Sequence, residues 1–127
     1  MEEQQIKITT AILAEKTGLP RFINSNGDLE CYDIAEKRYI NYRVFTFFPS
    51  KTEYIYTPKQ SVLQKWLRDD HGIHVTVFYI GNHSYEVRYG TTDKKSIDHT
   101  LINCIYDSHE EALECGLVEG LKLIKNN

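Results

Sequence analysis

Apolar and polar positions follow two rhythms along this chain, and the change of rhythm marks its elements. Between Thr57 and His71 the residues Val62, Leu63, Trp66 and Leu67 fall on one helical stripe, with Lys59, Lys65, Arg68 and Asp69 elsewhere on the wheel. Thr57, Pro58 and Gln60 read as a helix start: an N-cap hydroxyl, a first-turn proline and the far member of a capping box. Gly72 supplies the stop, so the spacing predicts a helix over 57–71. The period then shortens to two. Ile73 to Ile80 is β-branched or aromatic apart from His74, Gly81-Asn82-His83-Ser84 is turn-forming, and Tyr85-Glu86-Val87-Arg88-Tyr89 resumes the alternation. This predicts a β-hairpin of firm register, because a slip of one residue would bury Glu86 and Arg88.

A polar loop over 90–100 leads to Leu101-Ile102-Asn103-Cys104-Ile105, a third strand by its composition. The last stretch predicts a helix over 108–125. Ser108 and Glu111 make a capping box, Glu110 and Glu111 sit in the first turn, and Lys122 and Lys125 sit in the last, as the helix dipole prefers. Leu113, Leu117, Leu121 and Ile124 form its apolar stripe, and Ala112, Gly116 and Gly120 run beside it. Two glycines inside a helix cost about 1 kcal/mol each relative to alanine. Close approach to the sheet is the expected compensation, and a helix-to-helix dimer contact is the alternative.

Towards the N-terminus the pattern is weaker. Residues 9–19 predict a short helix, capped by Thr9 or Thr10, stopped by Gly18 and Pro20, and packed through Ile12, Leu13 and Leu19. The phrase Leu13-Ala14-Glu15-Lys16-Thr17-Gly18-Leu19 is similar to the first helix and turn of helix-turn-helix domains, but turn-formers such as Asn24 and Asn26-Gly27 follow where a recognition helix belongs. Short strands are expected at Leu29–Tyr32 and Tyr54–Tyr56, and a long aromatic one at Tyr39–Phe48. An aromatic strand with Arg43 can stack bases, although packing on a core is the commoner use.

These elements predict an α+β fold: an antiparallel sheet of about three to four strands with two helices on one face, plus an N-terminal helix. The Tyr39–Phe48 strand would extend or flank that sheet. A single domain is expected over 1–127, with an N-terminal subregion at 1–56 and an α-β-β-β-α core at 57–127. Double-stranded-RNA-binding domains share that order but hold phosphates with lysines at the start of their last helix, where this chain has Ser108-His109-Glu110-Glu111.

The chain has 127 residues, 41% of them hydrophobic, enough for a packed core without staples. Its net charge of −3 argues against a strong sequence-independent hold on nucleic acid. Cys31, Cys104 and Cys115 are odd in number and widely spaced, which fits free thiols in a reducing compartment. The opening residues lack the apolar run of a signal peptide, and no stretch reaches membrane-spanning length, so a cytoplasmic protein without membrane contact is expected.

Candidate chemistry is sparse. His71 and His74 with Asp69 and Asp70 bracket the helix stop, but helix-end and strand positions do not make a recognised metal-ligand spacing. Cys104 has no evident base to activate it. Neither a phosphate-binding glycine loop nor a nucleophile elbow is present. No cofactor and no structural metal are expected.

The phrases Gln60–Val75, Q-S-V-L-Q-K-W-L-R-D-D-H-G-I-H-V, and Tyr106–Ile124, Y-D-S-H-E-E-A-L-E-C-G-L-V-E-G-L-K-L-I, resemble a group of small uncharacterised proteins from phages, prophages and mobile elements of gut Bacteroidetes. The resemblance covers about 57–124 and implies a phage-related accessory protein, with no catalytic or binding residues to transfer. Three functions remain in view. The favoured one is a protein-interaction module with an unidentified protein partner, a homodimer among the options. The next is a nucleic-acid-binding protein using Lys59, Lys65 and Arg68 with the loop residues Lys94 and Lys95. The last is a small enzyme.

Overall fold

The structure, a computed structural model, describes residues 4–44, 50, 53–91, 99–100 and 105–124. The described residues form three helices and six strands, and the class is α+β as expected. The chain divides into two compact units, Met1–Lys59 and Gln60–Asn127. Among the described residues no helix is long and apolar enough to cross a membrane.

The first unit holds helix α1 (Ile8–Lys16) and strands β1 (Asp28–Asp33), β2 (Arg38–Arg43) and β3 (Tyr54–Tyr56). The three strands form their own antiparallel sheet in the order β2-β1-β3, with Cys31 paired to Ile40 on one side and Tyr56 on the other. The Tyr39–Phe48 stretch, where it is described, therefore does not extend the C-terminal sheet; residues 45–49 lie outside the described residues. Short polar side chains shape the turns. Asn24 Oδ1 accepts from the amides of Asn26 and Asp28, each at 3.0 Å, and Asp33 Oδ1 accepts from Ala35 and Glu36 at 3.0 and 3.1 Å.

Helix α1 starts earlier than its threonines suggest. Lys7 is its N-cap and makes no side-chain cap bond, while Thr10 is buried. The entering chain is already fixed, because Gln5 bridges to Lys59 and the Ile6 amide donates to Pro58 O at 2.9 Å. The buried side of α1 is Thr10, Ala11 and Ala14, and Ile12 is exposed, against the expected Ile12–Leu13 face. Small side chains let the helix lie close to β3, whose Tyr56 ring is buried and fills the space. Leu19 is buried as expected, and Ile6, Leu29 and Cys31 complete the core of this unit.

The second unit holds α2 (Gln60–His71), β4 (Ile73–Gly81), β5 (Ser84–Thr91), β6 (His99–Thr100) and α3 (His109–Lys122). Its antiparallel sheet runs β4-β5-β6. The expected hairpin forms, with Val75 opposite Tyr89, Val77 opposite Val87 and Gly81 opposite Ser84. Asn82 and His83 turn it, both with positive φ (53° and 57°), the conformation of a two-residue turn that matches strand twist. A bulge lies between Tyr79 and Gly81. The expected strand 101–105 falls mostly outside the described residues; beyond it Tyr106 exchanges backbone bonds with Tyr85 at 2.9 and 3.0 Å.

Both helices pack on this sheet. Leu63 and Leu67 of α2, Ile73, Val75 and Val87 of the strands, and Ala112, Leu117 and Leu121 of α3 are buried. Ser108 caps α3 by accepting from the Glu111 amide at 3.1 Å. A Cβ on Gly116 would overlap Val87 Cγ2 and stand 2.7 Å from Val75 Cγ1, so the glycine admits the two valines. The small-residue stripe of α3 is thus occupied by the sheet, which overturns the alternative of a helix dimer through it.

The capping box expected for α2 does not form. Helix α2 begins at Gln60, whose side-chain Nε2 donates to Glu110 O and Glu114 Oε1, both at 2.9 Å. Thr57 is buried in the first unit, where its amide donates to Glu30 O at 2.9 Å and its hydroxyl accepts from Gln5 Nε2 at 3.0 Å. Each residue serves a long-range contact that its sequence neighbours do not reveal.

Candidate interaction surface

Among the described residues, strand β4 is an edge of its sheet. Gln64 Nε2 on α2 donates to Val75 O at 2.6 Å, so that carbonyl points away from β5. The amide and carbonyl of one strand residue point the same way and alternate along the strand. Val77 and Tyr79 therefore direct their backbone groups outward with Val75, while Thr76 and Phe78 bond inward to Arg88 and Glu86. Among the described residues no backbone partner takes up the outward groups of Val77 and Tyr79.

The side chains of this edge are apolar beyond its covered half. Ile73 and Val75 are buried, whereas Phe78 is 40%, Tyr79 60% and Ile80 46% exposed. Tyr79 and Tyr85 rings lie 5.3 Å apart, and Tyr85 meets the His109 ring edge-on at 6.1 Å. The Arg88 guanidinium sits 4.8 Å over the Phe78 ring and is paired with Glu86 at 3.2 Å. No Asp, Glu, Lys or Arg occurs anywhere from Ile73 to Gly81. Edge strands are normally protected by charges or proline; this one has neither. The signal was present in the sequence as a nine-residue uncharged strand, but only strand order shows that it is an edge.

Each described residue expected to hold nucleic acid lies beside a carboxylate. Lys59 Nζ lies 2.7 Å from Glu30 Oε2, a nearly buried carboxylate of the first unit. Lys65 Nζ lies 2.7 Å from Asp69 Oδ2, and Arg68 Nε 3.3 Å from Asp69 Oδ1, so one carboxylate meets both cations. The Lys65 hydrogen bond holds Asp69 below the usual carboxylate range. Lys94 and Lys95 lie outside the described residues.

Other chemistry is equally engaged. His71 packs edge-on against the buried Trp66 ring at 4.6 Å, and His74 is a strand residue opposite Gly90. Among the described residues no three His, Cys, Asp or Glu side chains come together as a metal site. Burial pushes the Cys31 thiol up to about 11, with Arg21 only partly offsetting it, so at neutral pH it is not a thiolate nucleophile. Cys115 Sγ accepts from the Tyr106 hydroxyl at 2.8 Å, and Cys104 lies outside the described residues. The tyrosines of the N-terminal sheet pack on one another, Tyr32 with Tyr39 and Tyr42 with Tyr54, each pair at 5.2 Å.

No family model, no curated protein and no solved structure matches the chain.

Proposed function

We propose that the chain is a protein-interaction module that binds through the outer edge and aromatic end of β4. The observation that carries this reading is the uncharged edge itself, with free backbone groups at Val77 and Tyr79 among the described residues and Phe78, Tyr79 and Ile80 exposed beside them. An extended segment laid along such an edge gains main-chain hydrogen bonds, and flanking side chains supply specificity. The proposed setting, an accessory protein of a phage or prophage, is supported by the two helical phrases at 60–75 and 106–124 alone. Nucleic-acid binding is the weaker reading, because Lys59, Lys65 and Arg68 each meet a carboxylate.

A photo-crosslinking residue at Tyr79, compared with one at the exposed Glu36, tests the reading. Protein adducts at position 79 and not at 36, whether to another protein or to a second copy, are expected. Adducts at neither position, or equally at both, would overturn it.

A further inference from the structure

We propose that β4 pairs antiparallel with β4 of a second copy, about a twofold axis at Phe78, joining two three-stranded sheets into one. The inference rests on the interaction reading and names its partner. The pairing window is set on both sides. Gln64 closes the carbonyl of Val75, and the bulge between Tyr79 and Gly81 ends the regular strand. What remains regular is Thr76 to Tyr79, with Phe78 between the outward-facing Val77 and Tyr79.

That window is self-complementary. With Phe78 opposite Phe78, Val77 of each copy faces Tyr79 of the other, and these are the residues whose amides and carbonyls point outward. Two such pairs exchange four hydrogen bonds. The Phe78 pair is then non-hydrogen-bonded, the arrangement in which cross-strand side chains approach closest, with Cα atoms about 4.5 Å apart. The contact is isologous, so it closes at two copies rather than growing into a fibre.

Charge favours a second copy over a charged peptide. Each chain carries −3, yet the strand has no charged side chain, and the neighbouring Arg88 is paired with Glu86 within its own copy. Two copies meet there without like-charge repulsion, and a basic or acidic segment finds no counter-charge. A window of four residues spans roughly 14 Å, a small contact, so the dimer should be reversible and concentration-dependent.

Analytical ultracentrifugation over a concentration series, on the wild-type chain and on Phe78→Lys and Phe78→Glu, tests the register. The wild type should shift from monomer to dimer, each variant alone should stay monomeric, and an equimolar mixture of the two should recover the dimer. Hydrogen exchange gives a second readout that needs no variant: the Val77 and Tyr79 amides should slow as wild-type concentration rises, while other strand amides do not change. A wild type that stays monomeric at the highest attainable concentration overturns the proposal, as does a dimer that survives Phe78→Lys. A mixture that stays monomeric overturns the register. A monomeric wild type that still crosslinks a different protein through position 79 overturns this dimer and leaves the interaction reading standing.

Discussion

Gly116 of α3 lies so close to Val87 of β5 that a single methyl group does not fit between them. Val87 and Val75, the two neighbours, are themselves buried and have little room to move. Overpacking a site of this kind costs about 1–3 kcal/mol, which exceeds the gain of about 1 kcal/mol from alanine in a helix. Gly116→Ala should therefore destabilise the chain in urea titration, and Val87→Ala in the same chain should recover part of the loss. Gly120→Ala is different, because its Cβ would stand 3.2–3.3 Å from its neighbours and should come out near neutral. A Gly116→Ala protein as stable as the parent would show that the helix is not seated there.

What could be read from the sequence was local. The hairpin, with its strands near 73–80 and 84–90 and its turn at 81–84, is legible because alternation and turn residues lie within one short window, whereas the bulge between Tyr79 and Gly81 is not. Ser108 was legible as a cap for the same reason. Thr57 and Gln60 look like partners in the sequence, but their actual partners, Gln5 and Glu114, are more than fifty positions away. Strands at Leu29–Tyr32, Tyr39–Phe48 and Tyr54–Tyr56 are all visible in the pattern, but their pairing into one separate sheet is not, since strand order depends on contacts that a short window does not contain. Hydrophobicity alone places Ile12 inward, whereas the helix turns its alanines in. The candidate surface was hidden for the same reason as the sheet order: an uncharged strand becomes an exposed edge only when the sheet is assembled.

Trp66 is the sole tryptophan and only 6% exposed, so it reports on the second unit by itself. Its native emission should lie well to the blue of free indole and move red on unfolding. Trp66→Ala should lower stability by about 3–5 kcal/mol through the cavity it leaves. Native emission matching free indole would contradict the burial.

Alkaline pH should weaken the first unit. Burial pushes the Tyr56 phenol from 10.0 up to about 12, partly offset by its hydrogen bonding to Phe22, and the Cys31 thiol from 9.0 up to about 11. Both raised values mean that the folded state favours the protonated form. Their contribution is complete below the ordinary values and is lost as pH rises from about 9 to about 12. Melting temperature followed across that range should fall, and fall less steeply in a Tyr56→Phe, Cys31→Ala double variant when each curve is referred to its own value at pH 8. Parallel curves would remove these two groups as the cause.

Duplex DNA and RNA should bind weakly at physiological salt. Lys65 and Arg68 share Asp69, and log affinity falls with log salt at about −0.9 per phosphate contacted, so two cations allow only a shallow slope. Anisotropy titrations at several salt concentrations measure both quantities. Tight binding with a steep slope, abolished by Lys65→Glu with Arg68→Glu, would reverse the order of the two functional readings.

The two-residue turn at Asn82-His83 also bears on the order in which the second unit forms. It brings Gly81 and Ser84 together across the shortest loop that a hairpin uses, so the entropy of closing it is small. Hairpins of this kind close in about 1–10 microseconds. Docking α3 on Val75 and Val87 requires a far longer loop, and slower events follow from larger sequence separation. The hypothesis is that the hairpin is the nucleus and α3 the late partner. Val77→Ala should then slow refolding, while Leu117→Ala should mainly speed unfolding, a pattern that stopped-flow kinetics would reveal or refute.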